Sequence, residues 1–397
     1  MEKTGEKYNI ICLANQVWDY HLWTNKKHVM SRMSNLSHNV LFVDPPINTG
    51  RVFLRHILQG RWSIKRLLTQ RYKDEKIEVF SPLNHHPVYN KLSLKHIQKI
   101  NKIASKIFDK DRKTILWVYH VEMPFLENFL RDIKYDILVY DCVDNYSGFP
   151  KYKSEDKKKW ILEQERMLAT RSNIVFASAP GLVEKLKRYN PNTHFTPNVG
   201  DYDRFFNVRY SKGREPSELK DIPHPRVMFS GAIDEYKFDK ELVKKIAMDF
   251  PSYSFVIIGP AALKDKESSK KALGFEDFDN VFFLGTVDYT ILPKYIAKAD
   301  VLMIPYQLND YTVGGCFPVK FHEYLASGYP VVVTDLPAYT PFSDVCYISK
   351  DYNEFSQNIR KGLEEDSDPM VKKRQKVASQ NTWDQKVAKM LSLINNL

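Results

Sequence analysis

NDYTVGGCFPVKFHEYLASGYPVVVTD (309–335) reads as a helix followed directly by a buried strand. Pro318 suits a first helical position, because it has no N–H to lose and its φ is already helical. Gly328 ends the helix. Pro330 then opens Val331-Val332-Val333, a run with no polar alternation. Such a run belongs to a parallel sheet covered on both faces.

Working outward from this stretch, the same rhythm recurs on both sides. Towards it run RVMFSGA (226–232), SFVIIGP (254–260), NVFFLG (280–285) and DVLMIPY (300–306); beyond it lies DVCYIS (344–349). Helices fit at 238–250, 289–298, 318–327, 353–365 and 369–380. The first half repeats the pattern with YNIICLAN (8–15), NVLFVD (39–44), KIEVFSP (76–82), TILWVYH (114–120), DILVYDC (136–142) and NIVFASA (173–179), and with helices at 93–109, 155–171 and 180–189. Alternating strands and helices predict α/β architecture with right-handed crossovers. Two Rossmann-like, doubly wound domains in tandem are expected.

The rhythm pauses over 197–224, which is polar and without a period. This is the expected linker and entry to the second domain. The predicted division is 1–198 for the first domain and 199–381 for the second. The last segment, TWDQKVAKMLSLINNL (382–397), has Val387, Met390, Leu391 and Ile394 at helical spacing. It either closes the second domain or returns to the first.

Composition is that of a folded chain: 43% hydrophobic and 27% charged residues over 397 positions. A net charge of +11 favours polyanionic partners such as phosphorylated substrates or anionic lipid. Arg51, Arg55, Arg61, Lys65, Arg66 and Arg71 alternate with apolar residues. That pattern fits a basic amphipathic segment at a membrane surface, and equally an ordinary surface helix. Nucleic acid is not an expected partner, because no recognised motif gathers the charge on one element. Cys12, Cys142, Cys316 and Cys346 show no CxxC or His–Cys metal spacing and read as buried thiols, which fits a cytoplasmic setting. No apolar run reaches the roughly 18 residues of a membrane span. A soluble or peripheral protein is expected, in the cytoplasm or at the inner face of the membrane.

Ligands of open α/β sheets bind beyond the carboxyl ends of the strands. In 309–335 the predicted helix N-terminus, preceded by a flexible Gly314-Gly315, suits a pyrophosphate. Lys320 in its first turn adds a cation, and Glu323, an acceptor when ionised, suits a pair of ribose hydroxyls. A purely structural helix with surface Lys and Glu is the weaker alternative, given the glycines and the flanking strand. In FSGAIDEYKFDK (229–240), Gly231 allows close backbone approach to a phosphate. Lys237 is either a phosphate ligand or a solvated charge.

His120 ends a strand, where an imidazole can bond a sugar or orient a hydroxyl; a structural role stands equally beside this. Asp141 and Asp144 follow the next strand. They are candidates for acceptor hydroxyls, with Asp144 preferred as base and helix capping the alternative. In NQVWDYHLW (15–23), Trp18 and Trp23 can stack on sugar rings and Asp19 and His21 can bond hydroxyls. The alternative is that the tryptophans pack between the lobes.

FPVKFHEYLASGYPVVVTDLP resembles the nucleotide-sugar-binding helix of retaining GT-B glycosyltransferases of the group often called family 4. That group has two glutamates with seven residues between them, then Ala-x-Gly-x-Pro-Val-Val. Glu323 matches the second glutamate, and Gly315 occupies the position of the first. The Pro-x-Lys-x-x-Glu-Tyr-Leu-Ala-x-Gly pattern is similar to a branch that includes teichuronic acid and polysaccharide glycosyltransferases. TPNVGDYDRF (196–205) resembles the family's interdomain segment, and FFLGTVDYTILPKYIAKADVLMIPY (282–306) its Gly-x-Val helix and following strand. The resemblance covers most of the second half and, more loosely, the first.

The resemblance implies a GT-B fold, with two domains facing across a cleft and the C-terminal helix crossing back to the first. It implies transfer of a sugar, with retention, from a nucleoside diphosphate to a hydroxyl of a glycan or lipid-linked acceptor. It places Glu323 on the donor ribose, the nucleobase near the loop after Gly285, and Asn309 and Thr312 near the donor phosphates or sugar. The first domain is expected to hold the acceptor. No Asp-x-Asp motif follows a strand, so no metal or other cofactor is expected, the nucleotide sugar being a co-substrate. An epimerase of the same architecture and a non-catalytic membrane-associated protein are the competing readings.

Overall fold

The computed structural model describes residues 6–20, 23–48, 64–84, 89–149, 152–260 and 266–397. The chain divides into two compact units: Met1–Thr196 with Val387–Leu397, and Pro197–Lys386.

The first unit is built on an eight-stranded sheet. Its strands are β1 (Asn9–Leu13), β2 (Asn39–Val43), β4 (Arg71–Asp74), β5 (Ile77–Phe80), β7 (Thr114–Val118), β8 (Ile137–Cys142), β9 (Ile174–Ala177) and β10 (Thr193–Phe195). Their order is β10-β9-β8-β7-β1-β2-β5-β4. All pairs are parallel except β4 with β5. β3 (Ile47–Asn48) and β6 (Leu83–Asn84) form a separate small pair. The unalternated runs are explained by burial: all five residues of β1 and all six of β8 are buried. Ile11, Leu116, Leu138 and Val175 belong to one apolar core with Ile97, Ile100, Ile161 and Leu168 from the flanking helices Tyr89–Ile107 and Glu155–Arg171.

The second unit has a six-stranded parallel sheet: β11 (Arg226–Ser230), β12 (Ser254–Ile258), β13 (Val281–Gly285), β14 (Val301–Ile304), β15 (Val331–Thr334) and β16 (Tyr347–Ser349). The order is β13-β12-β11-β14-β15-β16. The chain therefore steps outward from β11 to β13, returns to the other side of β11 at β14, and steps outward again. The matching reversal in the first unit lies between β1 and β7. These reversals leave a crevice at the carboxyl ends of the two strands concerned. In the second unit those ends lead into 230–237 and 305–312; in the first, into 14–20 and 119–123.

The segment 197–224 holds the short helix Tyr202–Phe205 and two 3-10 turns, and it belongs to the second unit. The helix Trp383–Ile394 starts in the second unit and ends in the first, with Trp383, Val387, Met390 and Ile394 buried. No disulfide forms; Cys12, Cys142 and Cys346 are buried and Cys316 is partly so. Among the described residues no helix is long and apolar enough to cross a membrane.

Candidate functional site

Beyond the sheet of the second unit, three glycines mark the ends of neighbouring strands. Gly231 (φ 146°), Gly259 (φ 149°) and Gly285 (φ 74°) all have backbones that a side chain disfavours. The N–H of Gly231 donates to Ile258 (2.8 Å) and that of Gly259 to Gly285 (2.8 Å). The missing side chains let Lys320 close on Gly231 and the Gly231 backbone close on Gly259.

Lys320 reaches this edge from the helix Lys320–Ser327. A β-carbon on Gly231 would collide with its ammonium. Nζ donates to the Tyr306 hydroxyl (2.9 Å) and lies over the rings of Phe229 (4.4 Å) and Tyr306 (5.0 Å). Burial, and then the nearby charge of Lys237, push its pKa down to about 7. Lys237 rests over Tyr236 and Tyr311 at 5.3 and 5.2 Å, with Asp234 4.0 Å away. Two lysines brought together at a strand end, one of them desolvated, make a place where an anion is strongly favoured.

Glu323 lies one turn further along the helix and is buried. Its Oε1 accepts from the Tyr289 hydroxyl at 2.5 Å. Burial raises its pKa to about 7, against the lowering by Tyr289 and by the backbone N–H of Asp201. Tyr324 ties the helix to the end of β11: its hydroxyl accepts from Ser230 N (2.7 Å) and lies 3.0 Å from Ser230 Oγ. The helix is regular from Lys320, two residues later than expected, and the Pro318 carbonyl takes a bond from Phe321 N (3.2 Å).

Gly314 and Gly315 depart from expectation. They do not form a flexible loop but close the helix Asp310–Gly315, and neither has a positive φ. The cause is a capping box. Asn309 Oδ1 accepts from the N–H groups of Tyr311 and Thr312 (3.1 Å each), and Thr312 Oγ1 accepts from Asn309 N (3.0 Å). These bonds satisfy the helix's orphan donors and offset the low helix propensity of glycine. Asn309 also donates to Tyr236 O (2.8 Å), so Asn309 and Thr312 shape the loop, and Thr312 is fully buried.

In the first unit, Tyr146 gathers the loops that follow three strands. Its hydroxyl donates to Tyr119 O (3.0 Å) and accepts from Asn15 Nδ2 (3.3 Å). Its N–H donates to Asp144 O (3.0 Å). The segments bearing His120 and Asp144 therefore converge, with both side chains half-buried. Asp141 does not join them. It points inside the fold, buried, and accepts from Trp117 Nε1 (3.3 Å). Asp141 lies within β8, whose six residues are all buried.

Trp18 is also buried. Its Nε1 donates to Asp74 (2.6 Å), its N–H to Asp44 (2.8 Å), and its ring packs edge-on to Phe42 at 4.9 Å. It anchors the loop after β1 within the first unit. Asp19 pairs with Arg66 (3.0 Å). Trp23 lies under the ammonium of Lys27 (4.8 Å). His21 and most of the basic stretch 51–71 lie outside the described residues. Of that stretch, Arg66 also stacks on Tyr72 (3.8 Å) and Arg71 pairs with Glu78 (2.7 Å).

Residues 224–365 match the family model described as glycosyl transferases group 1. A Bacillus subtilis (strain 168) protein, whose name TuaH assigns it to teichuronic acid biosynthesis as a glycosyltransferase, is 27% identical over 282 residues, 68% of each chain. Among solved structures, sucrose-phosphate synthase from Thermosynechococcus elongatus superposes with a TM-score of 0.71 at 14% identity, over 98% of this chain and 99% of that one. Anabaena HepE, solved with UDP-glucose, gives 0.65 at 17% identity, over 97% and 99%. Residues 224–365 are thus a group 1 glycosyltransferase domain, and the chain is a glycosyltransferase of the GT-B fold.

Proposed function

We propose that the second unit binds a nucleoside diphosphate sugar at the carboxyl ends of β11 and β14, and that the sugar passes to a hydroxyl of a glycan or lipid-linked acceptor held by the first unit. The observation that carries this is the convergence of Lys320, Lys237 and Gly231 at the strand reversal, with Glu323 one helical turn away. The diphosphate lies against Gly231, with its charge met by the two lysines, and no metal ion is required by this reading. Glu323 accepts from the ribose hydroxyls, and the base lies beyond Gly285.

In the transfer, the bond from the anomeric carbon to the diphosphate oxygen breaks and a bond to the acceptor oxygen forms. Negative charge grows on the departing diphosphate, so pre-placed cations at that point lower the barrier. The acceptor's proton leaves for a base. Asp144 and His120 are our candidates, because Tyr146 brings their segments together. Retention of the anomeric configuration follows from the family resemblance, and product anomers observed by NMR test it. The solved HepE complex with UDP-glucose and the name of TuaH support a UDP-sugar donor and a role in cell-surface polysaccharide synthesis. The basic balance, +11 overall, supports work at the inner face of an anionic membrane.

A thermal-shift screen of UDP-, GDP- and dTDP-sugars tests the donor site. One nucleotide class should stabilise the protein, and Lys320→Ala and Glu323→Ala should each weaken that response. Unchanged responses in both variants would remove this helix from the donor site. Flotation with anionic vesicles, compared with a variant neutralised over 51–71, tests the membrane association.

A further inference from the structure

Glu323 is not merely present beside the crevice; it is held from two sides. Tyr289, in the loop after β13, donates its hydroxyl to Oε1 at 2.5 Å, and the backbone N–H of Asp201 donates to the same carboxylate. Both supports are themselves fixed. Tyr289 is buried, packs against Phe205 (5.9 Å) and lies under the guanidinium of Arg204 (5.0 Å). Arg204 in turn pairs with Asp201 (3.0 Å). The chain at 200–201 cannot drift away or inward. A β-carbon on Gly200 would stand 2.8 Å from the backbone nitrogen of Glu323, and Gly200 N donates to Asn381 O (3.1 Å). Burial, then the charge of Glu323, hold the Tyr289 hydroxyl far above its ordinary pKa, so it remains a donor at any working pH.

A carboxylate left to rotate can follow whichever hydroxyl is offered. One pinned at Oε1 keeps its remaining lone pairs in fixed directions, as two adjacent ribose hydroxyls require. We propose that Tyr289 is a positioning residue that fixes the Glu323 carboxylate for the ribose diol, and so makes the donor site selective for ribonucleotides over 2′-deoxyribonucleotides. This rests on the donor-site reading above. A 2′-deoxy ligand would leave a buried carboxylate lone pair without a donor, which costs more than simply omitting a contact. Asp201 and Arg204 serve the same end, one from the backbone and one from above the ring.

The test is calorimetric titration of UDP and 2′-deoxy-UDP into the full-length protein, Tyr289→Phe and Glu323→Gln, across pH 5.5–8.5. For Tyr289→Phe, affinity for UDP should fall about tenfold, the size of one lost hydrogen bond to a charged group. Affinity for 2′-deoxy-UDP should change by less than about twofold on the same reasoning, which also reports an intact site. The acidic limb of UDP binding should move to higher pH in Tyr289→Phe, because the lost hydroxyl favoured the ionised carboxylate. Equal losses for both nucleotides, or no loss for either, with discrimination abolished by Glu323→Gln, would overturn the role of Tyr289 while leaving the donor site in place. Wild-type discrimination in Glu323→Gln would overturn both.

Discussion

The ammonium of Lys320 occupies the space in which a side chain on Gly231 would begin. Glycine is required there twice over, since its φ of 146° also lies where side chains are strained. Gly231→Ala should therefore displace Lys320 from between Phe229 and Tyr306. Nucleoside diphosphate affinity should fall about 10- to 100-fold, as expected for losing a charged hydrogen-bonding group. Calorimetry with UDP checks this.

Gly259→Ala should behave differently. Its β-carbon would strike the backbone of Gly231, which cannot swing aside as a lysine can. With the added strain of a φ of 149°, the loss should appear as stability, about 2 kcal/mol or more. Chemical denaturation of the second unit measures it.

Lys320 and Glu323 have pKa values moved in opposite directions to about the same place, near 7. A diphosphate needs the lysine charged, which holds below that value. The ribose needs the glutamate ionised, which holds above it. Donor affinity should therefore peak near pH 7 and fall on both sides. On binding, protons should be taken up above the peak, by Lys320, and released below it, by Glu323. Titrations in buffers of different ionisation enthalpy would show this change of sign; uptake at every pH would contradict it.

Glu323→Gln should separate stability from binding. The folded pKa of Glu323 is raised, so the native state holds this proton more tightly than the unfolded chain, and its stability declines as pH rises from about 4.5 through about 7. Replacement by a neutral amide removes that decline. The variant should be more stable than the parent at pH 8 by about 1–3 kcal/mol, yet bind the donor more weakly. Melting curves at pH 5 and pH 8 would show the gap opening with pH.

His322 gives the opposite slope. It is buried among Phe317, Phe321 and Phe342, and that burial lowers its pKa to about 3. The unfolded chain takes up this proton first, so stability is lost as pH falls below about 6.5. The loss should approach about 3 kcal/mol by pH 4.5, at about 1.4 kcal/mol per unit. His322→Leu should flatten this part of the acid denaturation profile. His38, lowered to about 4 mainly by burial, adds a similar slope in the first unit.

The sheets were legible because parallel strands are buried on both faces and show as apolar runs. β4 was not, because Arg71–Asp74 is a partly exposed edge whose RYKD sequence carries no such run. The helix Asn25–Asn35 was missed for a different reason: its buried face is largely polar, with Asn25, Lys26, His28 and Ser34 buried beside Val29, Met30 and Met33. Gly231, Lys320 and Glu323 stood out because strand-end and helix-start chemistry is local. Tyr289, Asp201, Arg204, Tyr306 and Tyr146 act through contacts between segments far apart in sequence, which no spacing rule displays. Strand-end placement does not say which way a side chain turns, and Trp18 and Asp141 are both buried. The capping box had its signal in plain view, Asn309 three residues before Thr312.

The first unit joins two stretches far apart in sequence, one up to Thr196 and one from Val387. Tyr8, beside β1, donates its hydroxyl to Asn395 at 2.8 Å, and Val387, Met390 and Ile394 are buried. During biosynthesis, then, the sheet made earliest must wait for residues 387–397, while the whole second unit emerges and can fold in between. The first unit is completed only after the second has emerged, and a ribosome that stalls after the glycosyltransferase domain would leave it unfinished.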